Sequence, residues 1–221
     1  MTVTSARSPN RAIRTAGVAL AGSVSVGSAG VLVGIAARSV SHNRMAPWII
    51  GRAAGISAYL LLVALVLVGL LLSHPWRSRR RRPSIRFHIV LSVLTLALTA
   101  LHVIVLATDR FAGVGWWGAA LPMRASYRPV PIMLGLIGAW AGLLAGITAT
   151  LAGHLPARAW WPIHKVAVAS LLLVWLHGVL AGGDTHALRW IYLGTGLLVA
   201  VVAASRYTAR TPADRVRELH Q

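Results

Sequence analysis

Six apolar runs account for most of this 221-residue chain. A helix of roughly 20 apolar residues crosses the ~30 Å hydrocarbon core of a bilayer. The runs cover residues 15–37, 47–73, 87–107, 130–153, 160–181 and 187–205. Because the bilayer core offers no water to backbone amides and carbonyls, we expect every run to be helical. The sequence therefore predicts an all-α integral membrane protein without any sheet, built as a six-helix up-and-down transmembrane bundle.

The composition of the chain supports the membrane class. Hydrophobic residues make up 57% of the sequence and charged residues 12%, whereas a soluble domain is about one-quarter charged. The four acidic residues are Asp109, Asp184, Asp214 and Glu218. The absence of cysteine excludes disulfides, thiolate metal sites, iron–sulfur clusters and the covalent attachment of c-type haem. Any haem would therefore be bound non-covalently.

The arginines predict how the chain is oriented, because short cytoplasmic loops of membrane proteins are enriched in basic residues. They cluster near the N-terminus, in the connection after the second run and in the C-terminal tail: Arg7, Arg11, Arg14; Arg77, Arg79, Arg80, Arg81, Arg82, Arg86; Arg206, Arg210, Arg215, Arg217. We therefore expect a multi-pass protein of a bacterial-type inner or plasma membrane, with both termini cytoplasmic. Orientation and contact with anionic lipid account for the net charge of +18. Membrane lipid is an expected partner, and nucleic acid is not.

The sequence suggests three parts. Residues 1–46 are expected to hold a cytoplasmic N-terminus, the first transmembrane helix and the first outer loop. A signal peptide is the alternative for 15–37, since a basic start precedes a stretch rich in Gly, Ser and Ala. The length of this run and its small residues favour a span. Residues 47–206 form the predicted membrane domain, and 207–221 a basic cytoplasmic tail.

Four histidines lie in two of the apolar runs. His88 and His102 are fourteen residues apart in the third run, and His164 and His177 are thirteen apart in the fifth. Imidazole is costly in hydrocarbon, so intramembrane histidines face a bundle interior, a water cavity or a metal. At about 1.5 Å per residue the two spacings correspond to roughly 21 and 20 Å along a helix. Two parallel helices would then present two ligand pairs at two depths, as two stacked bis-histidine haems require.

The predicted topology makes the third and fifth helices parallel, both running from the cytoplasm outward. His88 and His164 would lie near the cytoplasmic ends, and the other two histidines near the outer ends. The phases differ, however. On a straight helix a fourteen-residue step keeps both side chains within roughly 40° of one face, whereas a thirteen-residue step turns them about 140° apart. A tilt, a kink or different haem azimuths must absorb this difference.

Residues 47–192 resemble a known family, and the histidine spacings are the most specific part of the resemblance. The other matching stretches are W-I-I-G-R-A-A-G-I-S-A-Y at 48–59, A-T-D at 107–109, W-W-P-I-H-K at 160–165 and W-L-H-G-V-L-A-G-G-D at 175–184. They are similar to the ferric reductase-like transmembrane domain. This haem b membrane domain is shared by ferric reductases, NADPH oxidases and the haem subunit of a periplasmic methionine-sulfoxide reductase system.

The resemblance implies two b-type haems, with iron held by axial histidines from the third and fifth helices. It pairs His88 with His164 for an inner haem and His102 with His177 for an outer one. It also implies an arginine near the outer haem, at Arg52. A buried arginine needs a partner and the predicted spans contain no acidic residue, so a haem propionate is the expected partner. The alternative is an arginine that snorkels to the outer interface.

The expected function is transmembrane electron transfer. Family members usually carry a cytoplasmic flavin and nicotinamide domain, but this sequence shows no G-x-G-x-x-G after a strand. We therefore expect a separate donor, a flavin reductase or quinol, and an outer-face acceptor such as ferric iron or a periplasmic redox protein. The chain would be the haem component of a membrane oxidoreductase, and we assign it no catalytic residue. The alternatives are a haem-free transporter or proton-relay protein and an assembly subunit of a membrane complex.

The outer side of the predicted bundle carries two further features. Residues 108–128 form the longest outer connection and would cap an outer haem, because long loops are often functional. Asp109 and Asp184 end the two histidine-bearing runs on that side. They either attract a cationic acceptor or cap and orient their helices, and the structural role is the favoured one.

Overall fold

The structure, a computed structural model, describes residues 45–75, 83–154 and 156–209. These ranges are helical and contain no strand. The helices are α1 (Ala46–Leu72), α2 (Ile85–Thr108), α3 (Gly115–Ala120), α4 (Pro129–Thr150), α5 (Ala157–His164), α6 (Val166–Ala181) and α7 (Thr185–Thr208). The predicted first span, 15–37, and the tail from residue 210 lie outside the described residues.

Five segments of the described chain are long and apolar enough to cross a membrane, with mean hydropathies from 1.7 to 2.7. They are Ala46–Leu72, Ile85–Thr108, Pro129–Thr150, Arg158–Ala181 and Thr185–Thr208. They coincide with the last five predicted runs to within a few residues. The described part of the chain is therefore an all-helical, multi-pass membrane protein, and apolar side chains on its surface suit contact with lipid.

The helix ends follow from local chemistry. Ser84 caps α2 by accepting a hydrogen bond from the backbone N–H of Arg86 at 3.2 Å. Arg128 precedes α4 in the left-handed region at φ 39°, and Pro129 then opens the helix, where its missing N–H is harmless. These two starts fix where α2 and α4 enter the bundle.

The fifth predicted span is divided into two helices. α5 ends at His164 and α6 begins at Val166, and α5 contains Pro162, which has no N–H for the helical ladder. The backbone N–H of Val168 bonds the Lys165 carbonyl at 3.0 Å, a tight turn at the junction. The break lies between His164 and His177, so these histidines do not share one straight helix. A kink is one of the expected ways to absorb the difference in phase of about 140°, and the break lies between these two histidines.

Helix α1 is the central element of the described bundle. About 39% of its most apolar window is buried inside the protein, against 6–11% for the other spans. The core consists of Tyr59, Leu62, Val63, Val66 and Leu70 of α1, with Leu171 of α6 and Tyr192 of α7. Helix α4 packs along α6. Helix α1 therefore shares a core with α6, which carries His177, and α4 contacts the same helix.

Candidate functional site

The structure brings the four intramembrane histidines together in two pairs. The rings of His88 on α2 and His164 on α5 have centroids 6.3 Å apart, with planes at 66°. The rings of His102 on α2 and His177 on α6 also have centroids 6.3 Å apart, with planes at 76°. These are the partners that the family resemblance implies. We name them the His88–His164 pair and the His102–His177 pair.

The separation within each pair suits one metal ion between two imidazoles. With metal–nitrogen bonds of about 2.0–2.1 Å and a ring nitrogen about 1.1 Å from its centroid, a linear arrangement sets the centroids about 6.3 Å apart. Both pairs have this spacing. The spacing leaves room for a shared metal, and it also falls within the ~4.5–7 Å of an edge-to-face contact between two rings.

Three of the four rings are oriented by a backbone carbonyl of a neighbouring helix. Nδ1 lies 2.6 Å from the Gly51 oxygen in His102, 2.8 Å from the Pro131 oxygen in His177, and 3.3 Å from the Ala145 oxygen in His164. Because a carbonyl oxygen only accepts hydrogen bonds, Nδ1 of each ring carries the proton and donates it. Nε2 then keeps its lone pair, the state in which neutral imidazole binds a metal.

His88 is oriented less firmly than the other three histidines. The Leu65 carbonyl of α1 lies near its ring. Its buried Nδ1 nevertheless makes no hydrogen bond of normal geometry within the described chain. The His102–His177 pair is therefore anchored at both rings, and the His88–His164 pair chiefly through His164.

Glycines make room for three of these rings. A Cβ at Gly55 would lie 2.6 Å from Nδ1 of His102, one at Gly135 would lie 2.7 Å from Nδ1 of His177, and one at Gly69 would lie 3.3 Å from Cε1 of His88. Each glycine is four residues after the carbonyl near the same ring, at Gly51, Pro131 and Leu65 respectively. Residues four apart lie about one helical turn apart on the same face, so a ring that contacts the carbonyl also lies over the glycine. We call each such carbonyl and glycine a seat.

Replacing Gly55 with alanine is expected to destabilise the protein, because the methyl group would overlap the ring of His102. Overpacking of this kind costs about 1–3 kcal/mol. Gly69→Ala should cost less, since its Cβ would meet only one ring carbon at 3.3 Å. Gly194→Ala is the control, because nothing lies within 4 Å of its Cβ. Thermal unfolding in mild detergent, followed by circular dichroism, should give Gly55→Ala the lowest midpoint temperature. Equal midpoints for the three variants would contradict the close packing of the histidine rings against these glycines.

An apolar cavity lies beside the His102–His177 pair. Its lining includes both of these histidines, Gly55, Gly135 and Tyr192. The connection between α2 and α4 contributes Ala112, Val114, Gly118, Ala119 and Tyr127. Part of the 108–128 connection therefore forms a wall of the cavity. In the described chain, His88 and His164 are not among the lining residues.

Arg52 also lines this cavity. Its guanidinium forms an ion pair with Asp184, the residue before α7, and lies 4.6 Å from the centre of the Trp48 ring. Asp184 lies just beyond α6, outside the spans, which contain no acidic residue. Asp109 has a local role, since its Oδ1 accepts a hydrogen bond from the Phe111 N–H at 2.9 Å. Both carboxylates thus have structural partners.

Each histidine pair offers two imidazole ligands. Two imidazoles suit a metal that brings a macrocycle for its other positions, as haem iron does. At the His102–His177 pair, the donors, their protonation and the glycine-lined cavity beside them are compatible with haem.

Sequence reasoning missed the carbonyl seats and the role of Asp184. Every residue has a carbonyl, so nothing in the sequence distinguishes those of Gly51 and Pro131. The glycines give a usable signal, because Gly55, Gly69 and Gly135 interrupt apolar helices where glycine costs stability. Such a glycine in a span opposite a histidine indicates a close approach.

Comparisons of the chain with protein-family models, with curated proteins and with solved structures found no match.

Proposed function

We propose that this protein is a membrane cytochrome b that carries electrons across the cell membrane. It would bind two b-type haems, one at the His88–His164 pair and one at the His102–His177 pair. The protein would be a six-helix bundle with both termini in the cytoplasm, and residues 15–37 would be its first span. The observation that carries the proposal is that the four intramembrane histidines meet in two pairs across neighbouring helices, each with ring centroids 6.3 Å apart and room for one metal.

The chain contributes position, protonation state and surroundings. When bound, haem iron supplies a one-electron couple. The Gly51 and Pro131 carbonyls hold the protons of His102 and His177 on Nδ1, so their Nε2 atoms are available as ligands. The mostly apolar walls beside them lower the local polarity, which is one of the means by which a protein sets a reduction potential.

The two pairs would form a path through the membrane. Helix α2 is continuous from Ile85 to Thr108, so His88 and His102 lie about 21 Å apart along its axis. The arginine distribution puts His88 on the cytoplasmic side and His102 on the outer side. Electrons would enter from a cytoplasmic flavin reductase or from quinol and leave to ferric iron or a redox protein outside.

Reconstituted vesicles test this function. The haem-loaded protein would be placed in liposomes that enclose dithionite, with a membrane-impermeant ferric chelate outside. We expect reduction of the external chelate well above the rate of protein-free vesicles. Equal rates from vesicles that contain haem-loaded protein and from empty ones would contradict transmembrane electron transfer.

A further inference from the structure

The ion pair between Arg52 and Asp184 connects the two sides of the His102–His177 pair. Arg52 directly follows Gly51, whose carbonyl orients His102. Asp184 directly precedes α7 and follows the end of α6, the helix that carries His177. The ion pair therefore joins the seat of one ring to the end of the helix that bears the other.

The Arg52–Asp184 ion pair also determines the charge of the cavity wall. Among the described residues that line the cavity, Arg52 and Asp184 carry the formal charges. Their side chains are 20% and 51% exposed, so the arginine is the more enclosed of the two. Because the charges are opposite and in contact, their fields largely cancel at the rings, while either charge alone would act strongly in an apolar surrounding.

We propose that the ion pair between Arg52 and Asp184 tunes the reduction potential of the centre held by His102 and His177, because its two charges balance each other. We call this ion pair the latch. The inference rests on the proposed function and adds two tuning residues to it. Oxidation of iron adds a positive charge to the site. An unbalanced Arg52 would disfavour the oxidised state and raise the potential, whereas an unbalanced Asp184 would favour it and lower the potential.

The latch differs from the role that the family resemblance implies for Arg52. If Arg52 bound only a haem propionate, its charge would be balanced by that group and Asp184 would have no ion pair with it. The structure instead gives Arg52 a carboxylate from the chain itself. Asp184→Asn therefore removes the partner that the chain supplies to Arg52.

Potentiometric titrations of the haem-loaded protein test the latch. We expect Asp184→Asn to raise the potential of the His102–His177 centre and Arg52→Gln to lower it. The double variant should return close to the wild-type value, and Arg52→Lys should keep it because the charge remains. Arg189→Gln removes an exposed arginine of α7 outside the cavity lining and should change little.

The outcomes separate the latch from the proposed function and from a merely structural role. A general loosening of the site would shift the reduction potentials of both single variants in the same direction, and that result would overturn the latch. An unchanged potential in Asp184→Asn would overturn it as well. A wild-type protein that takes up no haem would overturn the proposed function, and with it the latch.

Discussion

Alanine at His102 or at His177 is expected to reduce the bound haem from about two per chain to about one. Under the proposed function the two imidazoles of this pair would hold one haem, so removal of either would leave it with a single histidine. Both variants should lose the same spectral component and keep the other. Haem content, measured as pyridine haemochrome against protein concentration after purification in mild detergent, gives the stoichiometry.

The control for this prediction is His186→Ala. His186 is exposed at the start of α7, and its Nε2 lies 3.0 Å from Arg189, outside both pairs. Its replacement should leave both haems in place. If His102→Ala and His177→Ala removed different components, or if both kept the full haem content, the assignment of these residues to one shared site would be wrong.

Replacement of His88 or His164 has a different expected effect, because it would interrupt the proposed path and leave the proposed haem at the His102–His177 pair in place. With about 21 Å between the two histidines of α2, one remaining haem cannot serve both faces of the membrane. In the vesicle assay, the rate of external chelate reduction should fall to that of empty vesicles. The variants should still show a b-type spectrum of about one haem per chain.

His154→Ala is the matched control for the interrupted path. His154 is exposed in the turn between α4 and α5, on the same side of the bundle as His164. This variant should transfer electrons at the wild-type rate. Transfer that continues in His88→Ala at the wild-type rate would show that electrons bypass the His88–His164 pair.

Much of the fold could be predicted from the sequence, because hydropathy and the rise of a helix depend only on residues close together in the chain. Hydropathy identifies a span without knowledge of its neighbours, and five predicted runs coincide with five candidate spans in the described chain. The constant rise of a helix likewise places His88 and His102 relative to each other. The proximity of His88 to His164 and of His102 to His177 was expected from the family resemblance, and the structure shows both contacts.

The remaining features depend on contacts between distant segments. Pro162 was a visible signal for a break, but the sequence alone could not place the junction at Lys165. Arg52 and Asp184 are 132 residues apart and meet only through tertiary packing. The seats depend on the rotation of α1 against α2 and of α4 against α6, which no single helix determines.

Low-temperature electron paramagnetic resonance of the air-oxidised, haem-loaded protein would show whether each histidine pair holds one iron, because the spin state of ferric haem reports its ligands. We expect low-spin signals from two centres, with one signal lost in His102→Ala. A high-spin, five-coordinate signal in the wild-type protein, or a well-folded protein that stays colourless after haem supplementation, would contradict the claim that each histidine pair holds one iron.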